Sequence, residues 1–510
     1  MKAPARRATS IFTIVVAMLA IGLIGTAMLS PGFGQAVGDS LGVGAFGLQA
    51  DELDHYIKRE MENRQIPGLA FAVLREGRVI KMTAYGLASI ELNVPATPKT
   101  VFDLASITKP FTATAIMLLV EEGKISLDEK INKYLPNAPV AWKGITVRHL
   151  LTHTAGLKDG FWPEFWGYPL IHYPTPRLFE AASEFPVDFG PGERWQYSDQ
   201  GYFLLGMIIE TVGGNRYEEF LRERVFGPLG MSATVVLGQD PWAIVENRAS
   251  TYTVREGKLA RFRVPYWTAE LGSEGGLWST LEDLAKWAAA LYDETIFTKS
   301  SLDQMWTPVI LNSGFGHGYG LGWYLRKHRG RRVIHHAGLS GTDFLHLPDD
   351  KLTVIVLTNI DARVSDPFGL AIGVAGRYLP DLLVSSLNEQ PDPDPQMTQK
   401  LRTLLLDIAN GESDLSLITP VRRARLSRRH RRIAAERVRD LKSFDFVACD
   451  EVEQHWTDRF GVGVNRICYY KLVNALETSY YWFYLTADGK VADFRSSKNY
   501  LLELEGLAGH

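Results

Sequence analysis

The chain has 510 residues, 46% of them apolar, so it can bury a large core but is too long for one ordinary domain. Its 55 lysines and arginines nearly balance 58 aspartates and glutamates, and the net charge of −3 gives no electrostatic case for a nucleic-acid partner. We therefore expect a protein of several domains whose partner is not a nucleic acid.

Residues 1–36 have the pattern of an export segment. A basic start is followed by a charge-free apolar run from Ile11 to Leu29 and then by small and polar residues, as in a signal peptide. Since the run approaches the ~20 residues that span a bilayer, an uncleaved anchor that holds the protein at the membrane is the alternative. Both predict an exported protein, periplasmic or extracellular, with the Gly-rich residues 37–49 as a flexible tether.

The folded body is predicted to begin with a helix and a hairpin and to return to strands near residue 330. Between them, from Lys124 to Lys327, the pattern is mostly helical, which predicts a helical subdomain. Strands near both ends predict one antiparallel sheet with the active site at its border with the helices. The predicted elements are helix Asp51–Gln65, strands Leu69–Leu74, Val79–Tyr85, Arg332–His336, Thr342–Leu347 and Leu352–Leu357, and helix Pro367–Leu379.

A Pro/Asp-rich linker at 386–396 predicts a domain boundary, because Pro391-Asp392-Pro393-Asp394-Pro395 suits neither a helix interior nor a central strand. The domains are then 50–385 and a small α+β module at 397–510. In this module Cys449 and Cys468, the only cysteines, form either a disulfide or two buried thiols. Its predicted elements are helices Met397–Ala409 and Pro420–Leu441 and strands Phe444–Cys449, Gly463–Val473, Ser479–Thr486 and Val491–Arg495.

A nucleophile is indicated by Ser106, which is followed by Lys109 and the apolar run Phe111–Val120. The spacing predicts a helix with Ser106 and Lys109 on one face of its first turn. A buried amine one turn away can take the serine's proton, and free N–H groups at the helix N-terminus can face an oxyanion. By itself the pair is weak evidence, because a helix cap with a solvated lysine has the same pattern.

Tyr197 and Asp199 lie in a turn-rich loop that enters an apolar helix. A tyrosinate beside a lysine ammonium is a candidate general base, and the polar side chain two residues on is a candidate to hold that lysine or a substrate amide. A tyrosine that only packs the loop is the alternative.

A third stretch, His335-His336-Ala337-Gly338-Leu339, places a glycine on a predicted strand, where a substrate could lie against the edge. The Leu339 N–H is a candidate oxyanion donor. Adjacent histidines on a strand point to opposite faces, and no His-Glu-x-x-His or similar ligand set is present, so we expect neither a metal nor another cofactor.

These three elements, in this order, resemble the motifs of the serine β-lactamase and penicillin-binding protein superfamily, especially class C β-lactamases and related esterases. Further segments that look like the family are Leu150–Leu157, Phe226–Met231 and Gly275–Thr280. The resemblance implies an α+β fold: a β-lactamase/transpeptidase-like antiparallel sheet flanked by helices, with a helical subdomain and here a small C-terminal α+β domain.

The resemblance also implies roles for individual residues. Ser106 is the acylated nucleophile, Lys109 and Tyr197 activate it and shuttle protons, and the Ser106 and Leu339 amides form the oxyanion hole. His336 and Gly338 stand on the substrate-binding strand. Class C β-lactamases have asparagine where this chain has Asp199, and a carboxylate cannot donate an amide N–H, which disfavours β-lactam recognition. An anion there also favours a lysine ammonium and thus Tyr197 as base, so the choice between Lys109 and Tyr197 stays open.

The sequence therefore predicts an exported serine hydrolase acting through a Ser106 acyl-enzyme on a small-molecule or peptide acyl substrate. An esterase or a D-stereospecific peptidase or carboxypeptidase is favoured, with a true β-lactamase as the alternative. A non-catalytic, penicillin-binding-like protein of the cell envelope is the alternative from another class.

Overall fold

The computed structural model describes residues 50–158, 174–237, 243–262, 271–383, 390–411, 415–424, 426–452 and 463–497. The predicted export segment, 1–36, and the predicted tether, 37–49, lie outside these ranges. Among the helices within them, none combines the length and the apolar character needed to cross a membrane.

Strands and helices are numbered in chain order. The strands are β1 (Gly68–Arg75), β2 (Arg78–Ser89), β3 (Val94–Pro95), β4 (Phe102–Asp103), β5 (Val235–Val236), β6 (Tyr252–Arg255), β7 (Lys258–Arg261), β8 (Leu277–Ser279), β9 (Val309–Ile310), β10 (Gly316–His317), β11 (Tyr324–His328), β12 (Arg331–Gly338), β13 (Thr342–Leu347), β14 (Leu352–Thr358), β15 (Ser443–Glu451), β16 (Val464–Val473), β17 (Thr478–Thr486) and β18 (Val491–Ser497). The helices are α1 (Ala50–Asn63), α2 (Thr108–Glu121), α3 (Val147–Leu151), α4 (Thr175–Glu184), α5 (Asp199–Gly213), α6 (Tyr217–Leu221), α7 (Gly227–Leu229), α8 (Leu281–Ala290), α9 (Lys299–Met305), α10 (Ala362–Ser365), α11 (Pro367–Tyr378), α12 (Pro395–Asn410), α13 (Pro420–Ala424) and α14 (Arg428–Val438).

The centre of the fold is a seven-stranded antiparallel sheet in the order β11-β12-β13-β14-β1-β2-β3. This arrangement confirms the prediction of one sheet built from both ends of the domain, since β1 pairs with β14, Leu69 opposite Thr358. Strand β11 is an addition that the sequence did not predict.

Both faces of the central strands are buried, which explains their nearly continuous apolar sequence. Along β1, Leu69, Phe71 and Val73 enter one hydrophobic cluster, and Ala70, Ala72 and Leu74 enter the other. Helices α1 and α11 pack on the first face and α8 on the second. The second cluster continues into α2 and into helices of the predicted helical subdomain, including α5.

The C-terminal segment forms a four-stranded antiparallel sheet, β15-β16-β17-β18, with helices α12 and α14 against one face. The other face, with Val447, Tyr469 and Trp482, joins the cluster that holds α11 and the first face of the central sheet. Cys449 and Cys468, opposite each other on β15 and β16, form a disulfide, so the alternative of two free thiols is wrong.

Two boundaries of this segment differ from the prediction. The predicted helix Pro420–Leu441 is instead α13 and α14, because Ser427 caps the second helix by accepting a hydrogen bond from the His430 N–H. Helix α12 begins at Pro395, inside the predicted linker, with Asp394 as its N-cap. Residues 386–389 of that linker lie outside the described ranges.

Candidate active site

Ser106 lies in a 3₁₀ turn, Ala105–Ile107, that leads directly into α2. Ala105 has a φ of +43°, a left-handed conformation that costs a non-glycine residue about 1–2 kcal/mol. The turn is fixed by Asp103, whose Oδ1 accepts the Ala105 N–H at 2.9 Å. Ser106 itself stays partly exposed, whereas its neighbours are buried.

Lys109 is fully buried one turn after Ser106, and its Nζ donates to three acceptors. They are Ser106 Oγ at 3.1 Å, Asp199 Oδ1 at 2.7 Å and the Glu274 backbone oxygen at 2.7 Å. An ammonium has three N–H donors, so this arrangement satisfies the charged form completely. The ring of Tyr197 also lies 4.7 Å from Nζ.

Tyr197 is half-buried beside this cluster; its hydroxyl oxygen is buried and, among the described residues, has no formed hydrogen bond. Burial raises the Tyr197 pKa well above 10, and the Asp199 carboxylate raises it further, while the Ser106 hydroxyl acts in the opposite direction. The resting side chain is therefore a neutral phenol near Ser106, which argues against the predicted tyrosinate.

Two hydrogen bonds that His153 accepts hold the loop that carries Tyr197. The Ser198 N–H donates to His153 Nδ1 at 3.1 Å, and the Gln196 N–H donates to the His153 backbone oxygen at 2.9 Å. Burial, and next the Lys109 charge, lower the His153 pKa well below 6.5, so the ring is neutral and can accept. Asp199 is the first residue of α5, where Ser198 caps the helix.

The two histidines of β12 point to opposite faces, as predicted. His335 Nδ1 lies 3.3 Å from Asp343 and its ring packs against Phe368 of α11. His336 faces the site: Nδ1 donates to the Ala337 oxygen at 3.0 Å, so Nε2 accepts from the Tyr319 hydroxyl at 3.1 Å. Burial, followed by the Lys109 charge, lowers the His336 pKa to about 3.

The end of β12 lies against the Ser106 turn. A Cβ on Gly338 would come within 2.2 Å of the Leu104 oxygen, so glycine is required for this close approach. Ser340 Oγ donates to Asp103 Oδ2 at 2.6 Å. Leu339, between these two contacts, is therefore held beside the turn that carries Ser106.

Sequence reasoning missed Asp103, His153 and Glu274. His153 falls in the segment Leu150–Leu157, which looked like the family but had no assigned role. Glu274 supplies a backbone oxygen, which every residue type has, so no pattern could reveal it. The sequence-predicted residues Ser106, Lys109, Tyr197 and Asp199 do come together around one ammonium group.

The fold and this site define the class of protein. A family model described as Beta-lactamase matches residues 53–375, and the chain belongs to that family. It is a serine hydrolase of the β-lactamase and penicillin-binding protein type, and its mixed fold with an antiparallel sheet is the one predicted.

Individual relatives give finer comparisons. The chain is 31% identical over 322 residues to a penicillin-binding protein of Bacillus subtilis, covering 58% of this chain and 69% of that protein. It is 29% identical over 332 residues to a D-aminopeptidase of Gluconobacter oxydans, covering 62% of this chain and 60% of that protein's length. The structure of an octameric penicillin-binding protein homologue from Pyrococcus abyssi superposes with a TM-score of 0.60 at 23% identity, covering 89% of this chain and 97% of that one.

Proposed function

We propose that this protein is an exported hydrolase that forms an acyl-enzyme on Ser106 and acts on small esters, amides or peptides that carry a D-amino acid. One observation carries the catalytic part: the buried Lys109 Nζ lies 3.1 Å from Ser106 Oγ and is anchored on two other acceptors. The segment 1–36 supports export.

Lys109 serves as the base in this proposal. As a neutral amine it keeps two N–H donors for Asp199 and the Glu274 oxygen, which leaves its lone pair for the proton of Ser106. Ser106 Oγ then bonds to the substrate carbonyl carbon, and the Ser106 and Leu339 amides receive the oxyanion. Neutral Tyr197 passes a proton between Lys109 and the leaving group, a role that needs no tyrosinate. Water hydrolyses the acyl-enzyme by the same steps in reverse order.

Two observations support a D-amino acid substrate: the negative charge of Asp199, which favours an amino-acid ammonium group, and the name of a relative. Asp199 has 32% of its side chain exposed, and one of its oxygens binds Lys109. A carboxylate at this position favours a substrate with a free ammonium group over one that needs an amide donor. The name of the Gluconobacter relative, a D-aminopeptidase, points to the same substrate class.

The intact mass of the protein after incubation with a fluorophosphonate or a penicillin tests the acyl-enzyme. We expect one adduct, lost in Ser106→Ala and kept in Ser300→Ala, which removes an exposed serine on α9. No adduct from either reagent on the folded protein would reject the proposal and favour the non-catalytic envelope protein. For the substrate class, kcat/KM on D- and L-alanine p-nitroanilide is compared, and equal values would reject the D-preference.

A further inference from the structure

Glu274 is a second carboxyl group beside the buried lysine. It lies in the tight turn before β8, where the Gly276 N–H donates to the Gly272 oxygen at 2.7 Å. Its backbone oxygen accepts from Lys109 Nζ at 2.7 Å, so the residue is held against the reacting pair. Only 6% of Glu274 is exposed.

The Glu274 side chain has an unusual environment for a carboxyl group. Within the described part of the chain, its Oε2 is buried and has no hydrogen-bond partner. Burial raises the Glu274 pKa to about 7; a backbone hydrogen bond at Glu274 lowers it, the Asp199 carboxylate raises it, and the Lys109 charge lowers it. A buried carboxylate oxygen without a hydrogen-bond donor is costly, so the neutral acid is the form this environment favours below neutral pH.

The other titratable groups around the lysine carry no charge near neutral pH. Burial lowers the pKa values of His153 and His336, from α3's C-terminal turn and from β12. Burial raises those of the tyrosines, which come from the Tyr197 loop, α5 and α6: Tyr197, Tyr202 and Tyr217. Among the described residues, the carboxyl groups beside the Lys109 ammonium are those of Asp199 and Glu274.

We propose that Glu274 is a positioning residue that regulates the charge of Lys109: it stays neutral while the Asp199 carboxylate pairs with Lys109, and it becomes the counter-ion of Lys109 when it ionises or when the Asp199 carboxylate is removed. This proposal rests on the proposed function, in which the neutral amine of Lys109 takes the serine's proton. Ionised Glu274 adds a second negative charge beside the ammonium and so opposes formation of the reactive amine. Ionised Glu274 therefore shifts the acidic limb of the activity profile to higher pH.

The test compares the acidic limb of kcat/KM on a small ester for the wild type and Glu274→Gln, which keeps the shape and removes the charge. We expect the limb to move to lower pH by about half a unit or more. Glu256→Gln, which removes an exposed carboxylate in the β6–β7 turn, is the matched control and should leave the limb in place. Fluorophosphonate labelling of Ser106 is measured in each variant, so that failure of the acyl-enzyme proposal is seen separately, as absence of labelling in the wild type.

A second measurement tests the exchange of counter-ions. If Glu274 ionises when Asp199 is neutralised, Asp199→Asn should move the acidic limb further in the Glu274→Gln background than in the wild type. If Glu274→Gln does not fold, Glu274→Met replaces it in both comparisons. Equal shifts in the two backgrounds, or an acidic limb that Glu274→Gln leaves in place while labelling persists, would overturn the proposal.

Discussion

At the scale of single residues, Asp199 supplies the negative charge that pairs with Lys109. A carboxylate oxygen at 2.7 Å stabilises the ammonium, whereas an asparagine at the same position would offer a neutral acceptor and an amide donor. The family pattern in class C β-lactamases has this asparagine, so the two forms of the site differ in charge and not in size.

Asp199→Asn should therefore extend activity into the acid range. Without the carboxylate, the Lys109 ammonium loses its counter-ion, so the acidic limb of kcat/KM on a small ester should move to lower pH, and labelling by penicillin should become faster because an amide donor is now present. An unchanged limb together with unchanged penicillin labelling would mean that Asp199 does not influence the reaction.

Asp103 is expected to matter for rate although it does not touch the nucleophile's oxygen. Its two oxygens join the Ala105 N–H to the Ser340 hydroxyl, and so align the two segments whose amides are the predicted oxyanion donors. Asp103→Ala should lower kcat by roughly 10²-fold with a smaller change in KM, because misplaced donors weaken transition-state binding most. Ser340→Ala, which removes one of the two bonds, should lose less. If kcat stays at the wild-type value in Asp103→Ala, the alignment has another origin.

The sequence predicted the parts of the site that depend on local geometry or on the family motifs. Ser106 and Lys109 meet because residues three apart share a helix face, a relation that the spacing contains. Asp103, His153 and Glu274 act through contacts with residues far away in the chain, and two of them use backbone atoms. Such contacts exist only after the sheet and the helices have packed together.

At the scale of secondary structure, the apolar strands β1 and β14 were predicted and the polar edge strand β11 was not. Strands β1 and β14 are buried on both faces and carry mostly apolar sequence. Strand β11, with the sequence Tyr-Leu-Arg-Lys-His, lies at the edge of the sheet and lacks that signal. The break between α13 and α14 was missed because arginine-rich sequence on both sides of Ser427 continues the helical pattern.

The disulfide between β15 and β16 is expected to stabilise the C-terminal sheet. Cys449 and Cys468 are separated by 19 residues, and closing a loop of this size stabilises a fold by about 3 kcal/mol through the entropy of the unfolded chain. The double variant Cys449→Ser/Cys468→Ser should therefore have a lower free energy of unfolding in urea, with Ser106 labelling retained under native conditions. A reducing agent should have the same effect on the wild type and none on the variant; equal stability of all samples would show that the bond is energetically neutral.

At the scale of the whole molecule, the C-terminal sheet joins the hydrophobic cluster on the face of the central sheet where α11 packs, away from the nucleophile. Its residues Val447, Tyr469 and Trp482 share one hydrophobic cluster with Phe368 of α11. Asp450 pairs with Arg329, whose guanidinium lies 5.8 Å from the Tyr469 ring centre. The proposed catalytic residues all precede the C-terminal segment. That segment contributes to the burial of apolar side chains of α11.

A chain of residues 51–391 should still be labelled at Ser106 by a fluorophosphonate at low temperature, because every proposed catalytic residue precedes the cut. It should unfold at a lower urea concentration than residues 51–510, since burial of apolar side chains of α11 is lost. Loss of labelling in a folded truncated protein would show that the C-terminal sheet completes the site. Equal urea midpoints would show that the shared cluster contributes little.

The pairing of β1 with β14 also determines when the central sheet can form during translation. Roughly 280 residues separate the end of β1 from the end of β14, and at about 5–20 residues per second a ribosome needs roughly 15–60 s to make them. Throughout this interval β1 has no partner on one edge, and its apolar side chains have no finished core to enter. The central sheet therefore cannot be completed until more than half of the chain has been synthesised, and the apolar side chains of β1 stay without their final neighbours on that edge until then.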